Sequence, residues 1–148
     1  MKRTRVRGIT LIELLIALVI VGILASVAYP AWQSSIRKSR RADGHAALIA
    51  VQLAQEKLRS SCRFYAQNLG AGNACGANAA GSTIAAQAAS PDGHYTITLS
   101  GASATGYTAT ATAVGDQVKD EAGGVTCTLA ITVSAANPNG VRSPADCW

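Results

Sequence analysis

The sequence predicts an α+β protein. A long N-terminal α-helix, membrane-spanning in its first half, packs through its second half on a small antiparallel β-sheet with a disulfide-closed C-terminal region. Three observations predict it. From Ile9 to Tyr29 an apolar run carries one charge, Glu13. After Gly93 the pattern switches to alternation rich in Thr and β-branched residues. Four cysteines stand at positions 62, 75, 127 and 147.

The apolar run comes first. At ~1.5 Å per helical residue, about 20 such residues cross the ~30 Å hydrocarbon layer of a bilayer. A buried core helix is usually shorter or keeps a polar face. Lys2, Arg3, Arg5 and Arg7 precede the run with no acid among them. Basic residues at one end of a spanning helix stay in the cytoplasm, so the chain after Pro30 is expected outside. A secretory signal has the same charge order, and Ser26-Val27-Ala28 passes by residue type as its cleavage site. Glu13 argues against that reading. An ionisable residue at membrane depth costs on the order of a few kcal/mol and by default marks a site with a partner. A cut between Gly8 and Ile9 would create an amine four residues before Glu13, able to pair with the glutamate of a neighbouring copy.

The block Arg7-Gly8-Ile9-Thr10-Leu11-Ile12-Glu13-Leu14 resembles the cleavage site of type IV prepilins. The resemblance implies a membrane peptidase that cuts after Gly8, N-methylation of Ile9, and Glu13 as the assembly acid. Ile9 stands where the family more often has phenylalanine. Ile36-Arg37-Lys38-Ser39-Arg40-Arg41-Ala42-Asp43 and the ending Gly140-Val141-Arg142-Ser143-Pro144-Ala145-Asp146-Cys147-Trp148 resemble PilE-type minor pilins. The implied fold is that of a type IV pilin. The implied partners are other pilins, the prepilin peptidase and N-methyltransferase, the inner-membrane pilus assembly machinery, and membrane lipid before assembly. The implied location is the bacterial inner membrane, N-terminus cytoplasmic, and then the extracellular pilus.

The domain reading follows from these boundaries. Residues 1–8 are a removable leader, 9–30 the transmembrane and assembly helix, 31–60 an amphipathic helix half, 61–93 a loop region, and 94–148 the sheet and disulfide-bonded tail. Gly22 and Pro30 bracket a segment able to loosen or break the helix, since proline removes a backbone donor. In the second helix half, Ala46, Ile49, Ala50, Leu53, Ala54 and Leu58 form the expected packing stripe, with Gln52, Gln55, Glu56 and Arg59 off it. Gly44 reads as a weak point, up to about 1 kcal/mol worse than alanine.

From Arg63 to Gly93 the chain turns to Ala, Gly, Asn, Ser and Gln, which reads as a long surface loop. Gly70-x-Gly72 lacks the preceding strand and third glycine of a phosphate-binding turn. Three alternating runs follow, 94–99, 107–113 and 125–133, expected as an antiparallel meander. Tyr95, Ile97, Leu99, Leu129, Ile131 and Val133 should face the helix. His45 and His94 read as structural and surface residues rather than ligands, and Trp148 as tucked beside its half-cystine.

Four cysteines allow three pairings, and local loop closure favours Cys62–Cys75 and Cys127–Cys147. Pilins commonly staple their C-terminal region in the second way. The absence of close ligand pairs speaks against metal, and no cofactor or catalytic constellation is expected, hence no enzyme. The formal charge is +5, but without the four leader cations nine basic residues face eight acidic ones. Arg37, Lys38, Arg40 and Arg41 form the densest basic cluster, able to contact lipid headgroups or DNA.

Three functions follow. The first is a structural minor pilin serving pilus assembly, twitching motility and adhesion. The second is a competence pilin that binds DNA for uptake. The third is a type II secretion pseudopilin, for which Asp116, Asp120 and Glu121 are the candidate calcium oxygens.

Overall fold

The computed structural model describes residues 9–148. One helix, α1, runs Leu11–Arg59. The chain divides into two compact units, one ending at Ile36 and the other spanning Arg37–Trp148.

In the first unit the helix is apolar on every side. Its most apolar 18-residue window has mean hydropathy 2.8 and none of it is buried within the protein. Large side chains from Leu11 to Val27 are each more than half exposed, which suits lipid or a protein partner rather than water. Thr10 caps the start, its hydroxyl accepting from the Glu13 N–H at 3.3 Å. In the single chain the helix continues through Gly22 and Pro30. Proline's fixed φ is compatible with a helix, at the cost of one N–H and crowding of the carbonyl four residues back. The helical turns on either side hold the segment.

In the second unit, the last part of α1 packs on a four-stranded sheet ordered β3-β4-β7-β8. These strands are Tyr95–Ser100, Tyr107–Ala113, Leu129–Val133 and Val141–Ser143, all antiparallel to their neighbours. Alternation sets the faces. Tyr95, Ile97, Tyr107, Ala109, Ala111, Leu129, Ile131 and Val133 are buried. Thr96, Thr98, Thr112 and Thr132 point to solvent.

The packing stripe of α1 differs from expectation. Gly44, Ala47, Leu48, Val51, Gln55 and Leu58 are buried, whereas Ala46, Ile49, Ala50 and Leu53 are exposed. Alanine on both sides of the helix blurs the pattern, so the stripe is displaced around the axis. Gly44 is no weak point. A Cβ there would lie 2.8 Å from Leu129 Cδ1, so glycine lets helix and sheet approach closely. Gln55 is fully buried and clasps the backbone of one residue, donating to the Ala66 carbonyl and accepting from the Ala66 N–H at 2.8 Å each.

Residues 61–93 are more ordered than a plain loop. β1 (Asn68–Gly70) and β2 (Thr83–Ala85) pair in parallel, and Tyr65, Ala66 and Ile84 join the core. The run expected as one strand from 125 to 133 is split. Val125–Thr126 (β6) pairs with Glu121–Ala122 (β5) across a Gly123-Gly124 turn with both φ positive, and only Leu129–Val133 enters the main sheet. Two disulfides, Cys62–Cys75 and Cys127–Cys147, close loops of separation 13 and 20.

Candidate nucleic-acid interface

Three residues of α1, at i, i+4 and i+8, fall on one stripe and meet the C-terminal half of the chain. Arg37 offers its carbonyl to Gln117 Nε2 at 2.8 Å. Arg41 forms a two-pronged pair with Asp120 through Nε and Nη2, the latter at 2.9 Å, and Nη2 also donates to the Glu121 carbonyl. The His45 ring nitrogen Nε2 lies 3.0 Å from the Cys147 carbonyl. Gln117 completes the junction, donating to Tyr95 Oη and to Asp120 as well. The segment 115–126 and the tail are thus fastened along one flank of the helix.

Arg41 therefore leaves the basic cluster. It is buried, and its hydrogen bonds to Asp120 hold its guanidinium firmly charged. A guanidinium that is buried and committed to a carboxylate is withdrawn from any phosphate or headgroup in solvent. Lys38 is exposed, and Arg37 and Arg40 are half-buried. The flank gains two cations in exchange. Lys119 is exposed on the 115–126 segment, within 3.7 Å of Asp116. Arg142 is exposed on β8, its guanidinium 5.1 Å from the Trp148 ring centroid. Trp148 stacks on His45, centroids 4.4 Å apart, and donates from Nε1 to the Ser143 carbonyl. The tail is tucked, yet half of it stays open to solvent.

Lys119 and Arg142 are carried by segments fastened to the Arg37, Arg41 and His45 stripe, and Lys38 is the next residue along the helix from Arg37. Exposed cations of this kind suit phosphate contact. Asp116, Glu121 and Asp146 are also exposed, so the field is mixed rather than a uniform positive strip. Asp120, one candidate calcium ligand, is committed to Arg41. Among the described residues no group of three or more His, Cys, Asp or Glu is placed to hold a metal ion. Further cations, Lys57, Arg59 and Arg63, stand near the end of α1. Arg59 is occupied by the Cys62 carbonyl and the Tyr65 ring.

The other flank is different in kind. A groove of about 390 Å³ lies between α1 and residues 85–91, lined by alanines with Val51, Gln87 and Pro91. No cation lines it, so it offers nothing to a phosphate.

The remaining expected site residues lie in the N-terminal unit. Ile9 and Glu13 are exposed at the start of the helix. Gly8, the expected cleavage residue, lies outside the described residues. Sequence reasoning missed Gln117, Gln55 and Asp43, all buried polar groups. Their isolated positions carried no periodic signal.

An apolar N-terminal helix, an antiparallel sheet packed on its second half and a disulfide-tied C-terminal region define a type IV pilin, and the N-terminal methylation motif of prokaryotes matches residues 3–29. The chain belongs to a particular family of minor pilins, described as type IV minor pilin ComP, DNA uptake sequence receptor, whose model matches residues 30–130. No curated protein and no solved structure matches the chain.

Proposed function

We propose that this minor pilin receives DNA at the surface of a type IV pilus, as a step in DNA uptake. The observation that carries the reading is the family match over residues 30–130, described as a DNA uptake sequence receptor. Arg37, Lys38 and Lys119 of the basic flank lie within that stretch. Arg142 lies just beyond it, brought to the same flank by Trp148 and His45. Phosphate neutralisation by these side chains would supply sequence-independent affinity, and the neighbouring polar and aromatic groups the discrimination.

The N-terminal unit serves assembly in this account. The chain starts in the inner membrane with Lys2, Arg3, Arg5 and Arg7 in the cytoplasm. Cleavage after Gly8 exposes the Ile9 amine, which is methylated and pairs with Glu13 of a neighbouring pilin. Partners are then the prepilin peptidase, the assembly machinery, other pilins and DNA.

The alternative emphasis is a general role in pilus assembly, twitching motility and adhesion, favoured by the exposed apolar helix alone. Deleting the gene separates the two. The DNA-receiver reading expects pili and twitching retained with DNA uptake lost. Loss of pili, with uptake lost only as a consequence, contradicts it.

A further inference from the structure

The basic flank is assembled from two parts of the chain, and one buried ion pair joins them. Lys119 sits on the segment 115–126, which begins with a short 3-10 helix, Gly115–Lys119, and ends in the β5–β6 hairpin. Its side-chain bonds to α1 are those of Gln117 to the Arg37 carbonyl and of Arg41 to Asp120 and the Glu121 carbonyl. Asp120 neighbours Lys119 in sequence, and its carbonyl also accepts from the N–H of Cys127, which is disulfide-bonded to Cys147. Arg41 thus holds the Asp120 carboxylate, and with it the neighbouring Lys119, against the helix, while the Asp120 main-chain carbonyl ties the same residue to Cys127.

We infer that Arg41 is a positioning residue for DNA capture: its pairing with Asp120 sets Lys119 in register with Arg37 and Lys38, although Arg41 itself touches no phosphate. This rests on the DNA-receiver reading and deepens it. The chemistry favours arginine at this position. A planar fork engages a carboxylate and a carbonyl together in fixed geometry, whereas an ammonium is a point charge that fixes no angle. Truncating either partner would strand a buried charge, which the surface segment 115–126 would relieve by swinging out. The expected consequence is loss of alignment, with the sheet core left in place.

Arg41→Lys distinguishes position from charge, because it keeps the positive charge and gives up the fork. The probe is duplex DNA titrated against the full chain in neutral detergent at several salt concentrations. Positioning predicts that Arg41→Lys lowers affinity several-fold and reduces the salt slope by about one, the loss of one phosphate contact. It also predicts that Arg41→Lys combined with Lys119→Ala is no worse than Lys119→Ala alone. Unchanged affinity and slope in Arg41→Lys, or fully additive losses in the double variant, overturn the inference while leaving the DNA-receiver reading intact. Absence of DNA binding by the unmodified chain removes that reading and this one with it.

Amide hydrogen exchange on Asp120→Asn gives a second readout that needs no DNA. Faster exchange confined to residues 117–127 supports the positioning role. Acceleration spread through β3, β4 and β7 shows that the pair merely stabilises the whole fold, and overturns it.

Discussion

Gly44 and Tyr95 meet where helix and sheet come closest: a Cβ on Gly44 would stand 3.0 Å from the Tyr95 ring. Tyr95 is pinned from the far side as well, its hydroxyl accepting from Gln117 Nε2 at 3.0 Å. The ring cannot yield without disturbing the junction that holds segment 115–126. Gly44→Ala gains helix propensity, yet is expected to destabilise the protein by about 1–3 kcal/mol through overpacking. Chemical denaturation of the full chain in detergent checks the sign. A more stable Gly44→Ala variant would show that the contact is loose.

Asp43, one residue earlier, ties α1 to the entry of β3. Its carboxylate accepts from Ser90 Oγ, from the Asp92 N–H at 3.0 Å and from the His94 N–H at 3.2 Å. Burial pushes its pKa up, but the bonds from Ser90, Asp92 and His94 together outweigh it and hold the carboxyl below its ordinary value. The folded pKa is therefore lower than the unfolded value of about 3.9. The stabilisation is present above that unfolded value and is lost as pH falls through the folded pKa. Melting the wild type and Asp43→Asn between pH 2 and 7 should show the difference between them shrinking below about pH 4. A difference independent of pH would contradict the assignment.

Tyr107 presents the opposite case. Its ring is buried and packs against Tyr65 with centroids 4.9 Å apart, but its hydroxyl has no hydrogen-bond partner among the described residues. Burial pushes its pKa up strongly. An unsatisfied buried hydroxyl costs about 1–3 kcal/mol. Tyr107→Phe should leave stability unchanged or raise it by up to that amount, as thermal melts would show. A clear loss would mean that the hydroxyl is satisfied in solution.

Much of this was legible in the sequence because the signals were long or doubled. The apolar run from Leu14 to Ala28 is long and nearly uncharged, and Tyr95, Ile97, Leu129 and Ile131 alternate as buried strand residues must. The helix stripe was misread because Ala46, Ala47, Ala50 and Ala54 leave both sides of α1 equally apolar, and only contact decides which side is covered. Parallel β1–β2 pairing was invisible because each strand has only three residues, and Asn68 and Gly70 of β1 disfavour a strand. Arg41 was grouped with its basic neighbours because a buried ion pair depends on a carboxylate 79 positions away. The basic flank was only half legible for the same reason. Lys119 and Arg142 reach it through the tertiary contacts of Gln117 with Arg37 and of Trp148 with His45.

Glu13 tests the assembly half of the proposal. It stands exposed in the first turn of α1, in a run with no other charge from Ile9 to Tyr29. Glu13→Val should be cleaved normally but recovered poorly in sheared pili, since the amine of Ile9 on the adjacent subunit loses its counter-ion. Wild-type content of the variant in pili would sink that role.

The central claim is that this pilin holds DNA through its basic flank. The most direct measurement is the affinity of the full chain, in neutral detergent, for duplex DNA from about 50 to 200 mM salt, with Lys38→Ala, Lys119→Ala and Arg142→Ala alongside. The account predicts binding that weakens steeply with salt, and a slope that falls by about one for each of the three substitutions. Binding that is absent at the lowest salt, or indifferent to all three substitutions, would contradict it.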